Sequence, residues 1–303
     1  MAYTFHTLDV FTETRFAGNP LAVVLDAGAL TPAQMQTIAR EFNVAETVFV
    51  LAPEIIAHSA KIRMFTPTAE LPFAGHPTVG TAILMTIIKD QFASGDGDAL
   101  LVLEQELGSV RVGVKLRPGH APFAEFDAPK LPELTGNLPG LERLAACIGL
   151  LPSEIGFENH HPVRAAAGSG FALIPVATRE ALGKAEVNLS QWQPAFADTN
   201  VIGAFLYSRE CVHNTSAFHA RMFAPLHGIA EDPATGSAAI CLAAAIMQFD
   251  TLPDGIHRRI IEQGFAMGRP SFMTLTLVVR HNRLETVRLG GHAITVTSGT
   301  LSM

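Results

Sequence analysis

Charge is scarce in this 303-residue chain: Asp, Glu, Lys and Arg make up 16% of it, and the formal net charge is −7. No Lys/Arg run interrupts that acidity. Nucleic acid and anionic membrane surfaces are drawn to clustered cations, so neither is an expected partner. Cysteine is scarce too. Cys147, Cys211 and Cys241 are odd in number, far apart and without a CxxC pair, which excludes a disulfide framework. Long apolar runs are lacking: the stretches around Ile83–Ile88 and Ala238–Met247 fall short of the ~20 residues a membrane-spanning helix needs. The opening MAYTFHTLDVF has neither the basic nor the long apolar segment of a secretory signal. A cytoplasmic, reducing setting is the expectation.

Several motifs of cofactor and nucleophile chemistry are also missing. There is no GxxxxGK[ST] and no GxSxG, and Gly168-Ser169-Gly170 is not followed by a helical pattern, so neither a phosphate loop nor NAD is expected. His160-His161 and His213–His219 lack ligand spacing with acids, so no metal is expected.

What the chain does have is apolar material, 48% of its residues, arranged twice over. RMFTP begins at Arg63 and RMFAP at Arg221, 158 residues later. Glu104-Gln105 recurs at the same offset as Glu262-Gln263, and GNPLAVVL from Gly18 resembles GSGFALIPV from Gly168. Three segments in one order at nearly one offset imply a duplicated unit of about half the chain, far longer than a solenoid repeat. In each copy the RMF string is followed by a Gly-marked turn and an apolar helical run, His76–Lys89 or Ser237–Phe249. A helix with no polar face is buried on every side, and a curved sheet wrapped around it achieves that.

The remainder of each copy reads as short strands rich in β-branched and aromatic residues, such as ETVFVLA and KIRMFTP. Thr31–Asn43 reads as an amphipathic helix with Thr31 as N-cap. Pro118–Pro139, rich in Pro and Gly, reads as the join between copies, and ETVRLGGHAITVTSGTL as a closing hairpin turning at Gly290-Gly291. The fold class is mixed α+β, with two similar domains, 1–118 plus about 285–303 and 119–284.

The two helix starts carry the chemistry. A helix N-terminus leaves unpaired N–H groups and about half a positive charge, which attract a carboxylate or phosphate. With duplicated starts facing one cleft, a small anionic metabolite is the expected partner. Glu46 lies between a helical and a strand pattern, and the matching stretch Asn200–Ser208 holds no acid. A carboxylate on one side only suits general acid/base work. His76 and Asp232 flank the two helix starts; either alone also reads as a cap or turn residue.

The strings DVFTETRFAGNPLAVV, AETVFV, RMFTPTAELPFAGHPTVGTA, EDPATGSAA and MGRPS together resemble the PhzF-like (phenazine biosynthesis) family, from Asp9 to the final GGHAITVTSGTL. The resemblance implies the diaminopimelate epimerase fold, a homodimer and no cofactor. It places the family's catalytic Glu on Glu46, its motif His on His76 and its motif Asp on Asp232. Substrate-carboxylate contacts fall on Gly75, Gly236 and Ser237. Related epimerases carry one Cys at each helix start; here those positions are Ala74 and Thr235, so a two-thiol mechanism is not available. The expected activity is a cofactor-independent isomerisation, with Glu46 moving a proton on a small carboxylate-bearing metabolite. A non-catalytic small-acid binding protein and a lyase using the same base are the alternatives.

Overall fold

A computed structural model describes residues 2–89, 96–197 and 199–303. They form two compact units, Met1–Pro129 with Leu289–Met303, and Lys130–Arg288.

The first unit opens with β1 (Ala2–Val10) and β2 (Asn19–Val24), then α1 (Pro32–Phe42), β3 (Glu46–Leu51), β4 (Ala60–Phe65) and the short β5 (Glu70–Leu71). Helix α2 (Gly75–Ile88) follows, then β6 (Gly97–Gln105), β7 (Gly108–Leu116) and β8 (Phe123–Asp127). Helix α1 starts where expected because Thr31 and Gln34 form a reciprocal capping box, and it stops at Asn43 in the left-handed conformation. It is the crossover that lets β2 and β3 pair in parallel. Strands β1, β2, β3, β4, β6, β7 and β8 pair in that order, and the chain's last strand pairs with both β1 and β8. Eight strands thus close into a barrel.

Helix α2 fills that barrel. It touches β1, β2, β3, β6, β7 and β8, and every residue from Gly75 to Thr86 is buried. Burying each Val, Leu or Ile contributes roughly 1.5–3 kcal/mol, so the apolar run is held by the barrel and not by helix propensity. Outside the barrel, Met35, Ile38 and Ala39 of α1 pack on Phe49 and Phe65.

The second unit holds β9 (Glu133–Leu134), α3 (Leu141–Ile148), β10 (Val163–Ala167), β11 (Ser169–Pro175), α4 (Arg179–Lys184), α5 (Leu189–Phe196), β12 (Val201–Ser208), β13 (Phe218–Ala224) and β14 (Ile229–Asp232). It continues through α6 (Gly236–Phe249), β15 (Gly255–Gln263) and β16 (Ser271–Arg280) into β17 (Arg283–Ser302), whose far end closes the first barrel. The pairings repeat those of the first unit. β11–β12 is parallel like β2–β3, β13–β15 is parallel like β4–β6, and β15–β16 is antiparallel like β6–β7. Helix α6 has the same length as α2, 14 residues, and the same buried character. The outer layer is thicker here: α3, α4 and α5 bury Trp192, Leu144, Leu182 and Phe196 against Leu206 and Phe223.

Two sequence readings need correction. Gly290-Gly291 is no turn. β17 runs straight through it, and the reversal sits at His281-Asn282, both left-handed at φ 51° and 58°. The glycine serves close approach instead: a Cβ on Gly290 would stand 2.7 Å from the Ala124 carbonyl oxygen and 2.8 Å from the Phe123 ring. The Pro/Gly-rich stretch Pro118–Pro139 is likewise more than a join, because Phe123–Asp127 inside it forms β8 of the first barrel. Helices α3, α4 and α5 had no counterpart in the sequence reading, being only 6–8 residues long.

Candidate active site

The matching strand registers allow each residue of one unit to be paired with its counterpart in the other. Phe49 stands opposite Arg63, and Leu206 opposite Arg221; Leu21 stands opposite Glu46, and Phe171 opposite Gly203. The counterpart of Glu46 is therefore Gly203. A side chain has no room there, since a Cβ would run into the Phe223 carbonyl oxygen. Leu71 opposite Met64 corresponds to Asp232 opposite Met222. His76 and Ser237 are the second residues of their helices. Glu46, His76 and Asp232 are thus each present once, with Gly203, Ser237 and Leu71 in the matching places.

The duplicated polar residues behave differently. Arg63 grips Glu70 through two bonds of 2.7 Å, and Arg221 grips Glu231 at 2.9 and 2.8 Å. Glu104 accepts from the main-chain N–H groups of Glu54 and Ile55, with His58 Nδ1 at 2.8 Å. Glu262 does the same with Val212, His213 and, at 2.8 Å, His219 Nδ1. In both units these groups tie down loops and strands, with Arg221 also donating to the Leu182, Gly183 and Ala185 carbonyls, which is scaffold work.

In the first unit the structure brings Glu46 and His76 together. Glu46 opens β3 with its side chain turned toward α2, and His76 Nε2 lies 3.0 Å from Glu46 Oε2. Both are shielded, at 15% and 5% side-chain exposure. The contact falls short of hydrogen-bond geometry on the ring nitrogen. Burial drives the His76 pKa down to about 3, against a hydrogen bond to the Pro20 carbonyl that works the other way. The imidazole is therefore neutral at physiological pH. Ala74 caps α2 with no side-chain bond, leaving the first-turn N–H groups at Gly75 and His76 to be met from outside the helix.

The second helix start is built from Asp232, Thr235, Gly236 and Ser237. Thr235 Oγ1 donates to Asp232 Oδ2 at 2.5 Å, and Thr235 N–H donates to Gln263 Oε1 at 3.1 Å. Gln263 Nε2 in turn donates to the Asp232 carbonyl at 2.7 Å. Asp232 is thereby held at the mouth of α6, and Gly236 begins the helix with Ser237 behind it. The sequence reading missed Gln105 and Gln263 as parts of these helix starts. Their signal was present, as the repeated Glu-Gln pair, but it had served only to mark the duplication.

No cysteine stands at either helix start. Cys241 lies inside α6 with its thiol pushed up to about 12 by burial, and burial with the nearby Glu262 charge pushes Cys211 up to about 11. Among the described residues one grouping could hold a metal, Glu158, His160 and Asp250, and it escaped the sequence reading because Asp250 lies 90 positions beyond His160. The Arg209 guanidinium already bonds Asp250 and, at 3.3 Å, Glu158. A cation is thus built into the group from the chain itself.

The order of strands, the buried central helices and the Glu46–His76 pair can now be set beside known proteins. Residues 8–299 match the family described as phenazine biosynthesis-like protein. The chain belongs to that family. Among its relatives is an uncharacterized isomerase of Mesorhizobium japonicum, 48% identical over 97% of this chain and 96% of the relative. Another is the trans-2,3-dihydro-3-hydroxyanthranilate isomerase of Pseudomonas chlororaphis, 34% identical over 97% of each. The Bacillus anthracis phenazine biosynthesis protein of the PhzF family has the same fold, with a TM-score of 0.89 at 23% identity and full coverage of both chains. As a member of this family the protein is an isomerase. Ala74 and Thr235 stand at the helix starts, with a cysteine at neither. None of its described helices is long and apolar enough to cross a membrane.

Proposed function

We propose that the protein isomerises a small cyclic acid by moving one proton between two carbons, with Glu46 as the carrier. The observation that supports this is the contact of Glu46 Oε2 with the neutral, buried Nε2 of His76. Once Glu46 has taken a proton from a substrate carbon, its O–H is within reach of that nitrogen and donates to it after a small side-chain rotation. The acid form is held in place until the proton is delivered to a second carbon. One C–H bond breaks, one forms, the double bond shifts between them, and no redox partner is needed. The main-chain N–H groups at Gly75 and His76 receive the substrate carboxylate, and Gly236 and Ser237 offer further N–H donors. Asp232 orients the polar substituents of the ring.

The named activity of the Pseudomonas chlororaphis relative supplies the first compound to assay, trans-2,3-dihydro-3-hydroxyanthranilate. Substrate deuterated at the donor carbon should carry that deuterium to the second carbon of the product during turnover. Glu46→Gln should lower kcat/KM by about 10²–10⁴-fold, the usual contribution of a positioned acid/base, while 2-aminobenzoate still binds. A Gln variant of undiminished activity would overturn the assignment. Binding without turnover in the wild-type protein would favour the non-catalytic alternative.

A further inference from the structure

The two glutamines that close the repeated Glu-Gln strings are used unequally. In the second unit every polar atom of the Gln263 amide is engaged: Oε1 accepts from Thr235 N–H at 3.1 Å, and Nε2 donates to the Asp232 carbonyl at 2.7 Å and to Thr235 Oγ1 at 3.2 Å. In the first unit Gln105 Nε2 donates to Thr78 Oγ1 at 2.9 Å, and Thr78 Oγ1 donates to the Ala74 carbonyl at 2.7 Å. The Gln105 amide therefore lies against the first turn of α2. Its Oε1 has no hydrogen-bond partner among the described residues, although the residue is only 7% exposed.

A buried carbonyl oxygen without a donor is a rarity, because the water it gave up has not been replaced. This oxygen demands an N–H or O–H and repels an anion. The helix start beside it offers N–H donors and favours an anion. An acceptor and a set of donors at one helix start describe a ligand that carries both features: an anionic group and, next to it, an amine or hydroxyl.

We propose that Gln105 is a specificity-determining residue, whose Oε1 accepts a hydrogen bond from an amine or hydroxyl that the substrate carries beside its carboxylate. This rests on the reading that the start of α2 receives that carboxylate. In the other unit the same glutamine is consumed in capping Thr235, so only the Glu46 side of the duplication reads the neighbouring substituent. Sites that hydrogen-bond a substrate donor discriminate strongly against analogues lacking it, since the unmet protein group is penalised.

The test is calorimetric binding of 2-aminobenzoate and benzoate, which differ in the amine alone, to wild-type protein, Gln105→Met and Gln105→Glu. The wild type should prefer 2-aminobenzoate by about tenfold or more. In Gln105→Met the preference should collapse toward one while benzoate binding is unchanged. Gln105→Glu keeps an acceptor oxygen; it should retain the preference and bind benzoate more weakly through like charge. A preference that survives in Gln105→Met overturns the role of Gln105 alone. So does an equal loss of both ligands together with a lower Tm, the signature of a purely structural amide. Should Gln105→Met fail to fold, a lost preference in Gln105→Glu overturns it as well. Failure of the wild type to bind either acid overturns the carboxylate reading and this proposal with it.

Discussion

At the scale of single residues, the duplication sorts the polar groups by itself. Glu104 and Glu262 are matched, as are Arg63 and Arg221, and each matched residue ties down its own loop or strand. Glu46, His76 and Asp232 are unmatched. Burial has a measurable consequence for His76, whose folded pKa of about 3 lies below its ordinary 6.5. The unfolded chain therefore binds a proton that the folded chain refuses, and stability rises with pH between about 3 and 6.5, by up to about 1.4 kcal/mol per pH unit. The destabilisation is absent above that window and complete below it. Replacing His76 with Gln, which has no such proton to bind, should flatten the acid limb of stability between pH 6 and pH 4. Urea titrations at those two pH values check this; a variant as acid-sensitive as the wild type would show that another group governs that limb.

At the scale of elements, the end of a strand is what holds the start of a buried helix. β15 finishes with Glu262 and Gln263: the first anchors the 212–213 loop and His219, and the second caps α6. The Glu262 side chain is fully buried, which works against its charge, yet the His219 imidazole and the N–H groups of Val212 and His213 outweigh that and keep its carboxyl below the usual range. The stability it contributes is present above its ordinary value near 4.5 and is lost as pH falls through the folded value. Glu262→Gln should weaken these three contacts and lower stability by about 1–3 kcal/mol, with turnover per folded molecule unchanged. Chemical denaturation beside an activity assay separates the two. The strings RMF and Glu-Gln were legible as repeats because both copies need the same anchors. The purpose of the Glu-Gln pair was not legible, since its partners lie 27 to 50 residues away in the chain.

At the scale of the whole molecule, the chain returns at its end to complete its first unit. Nine residues of β1 pair with β17, from Ala2–Ser302 to Val10–Ala293, and β17 also pairs with β8. Without that strand the barrel around α2 is open along two edges, and unpaired edges invite association. A chain ending at Arg288 should be insoluble or molten in its first unit, and the Glu46–His76 contact should be lost with it. Near-UV circular dichroism and dye binding of the truncated protein test this; a native-like, soluble product would show that the remaining seven strands suffice.

By itself the sequence determined the apolar core helices, the duplication, the absence of thiols at Ala74 and Thr235, and the single acid at Glu46. These follow from residue type and local period, which need no knowledge of neighbours. Tertiary structure decided the rest. Strand register brings Glu46 to His76, 30 positions on, and puts Gly203 where a second carboxylate would stand. It carries β17 straight past Gly290, where the backbone of β8 leaves no space for a side chain. It also leaves Gln105 short of the partner that Gln263 has. Register is set by pairing among strands far apart in the chain, and one residue of slip turns every side chain to the other face. For that reason no reading of local spacing could have placed these contacts.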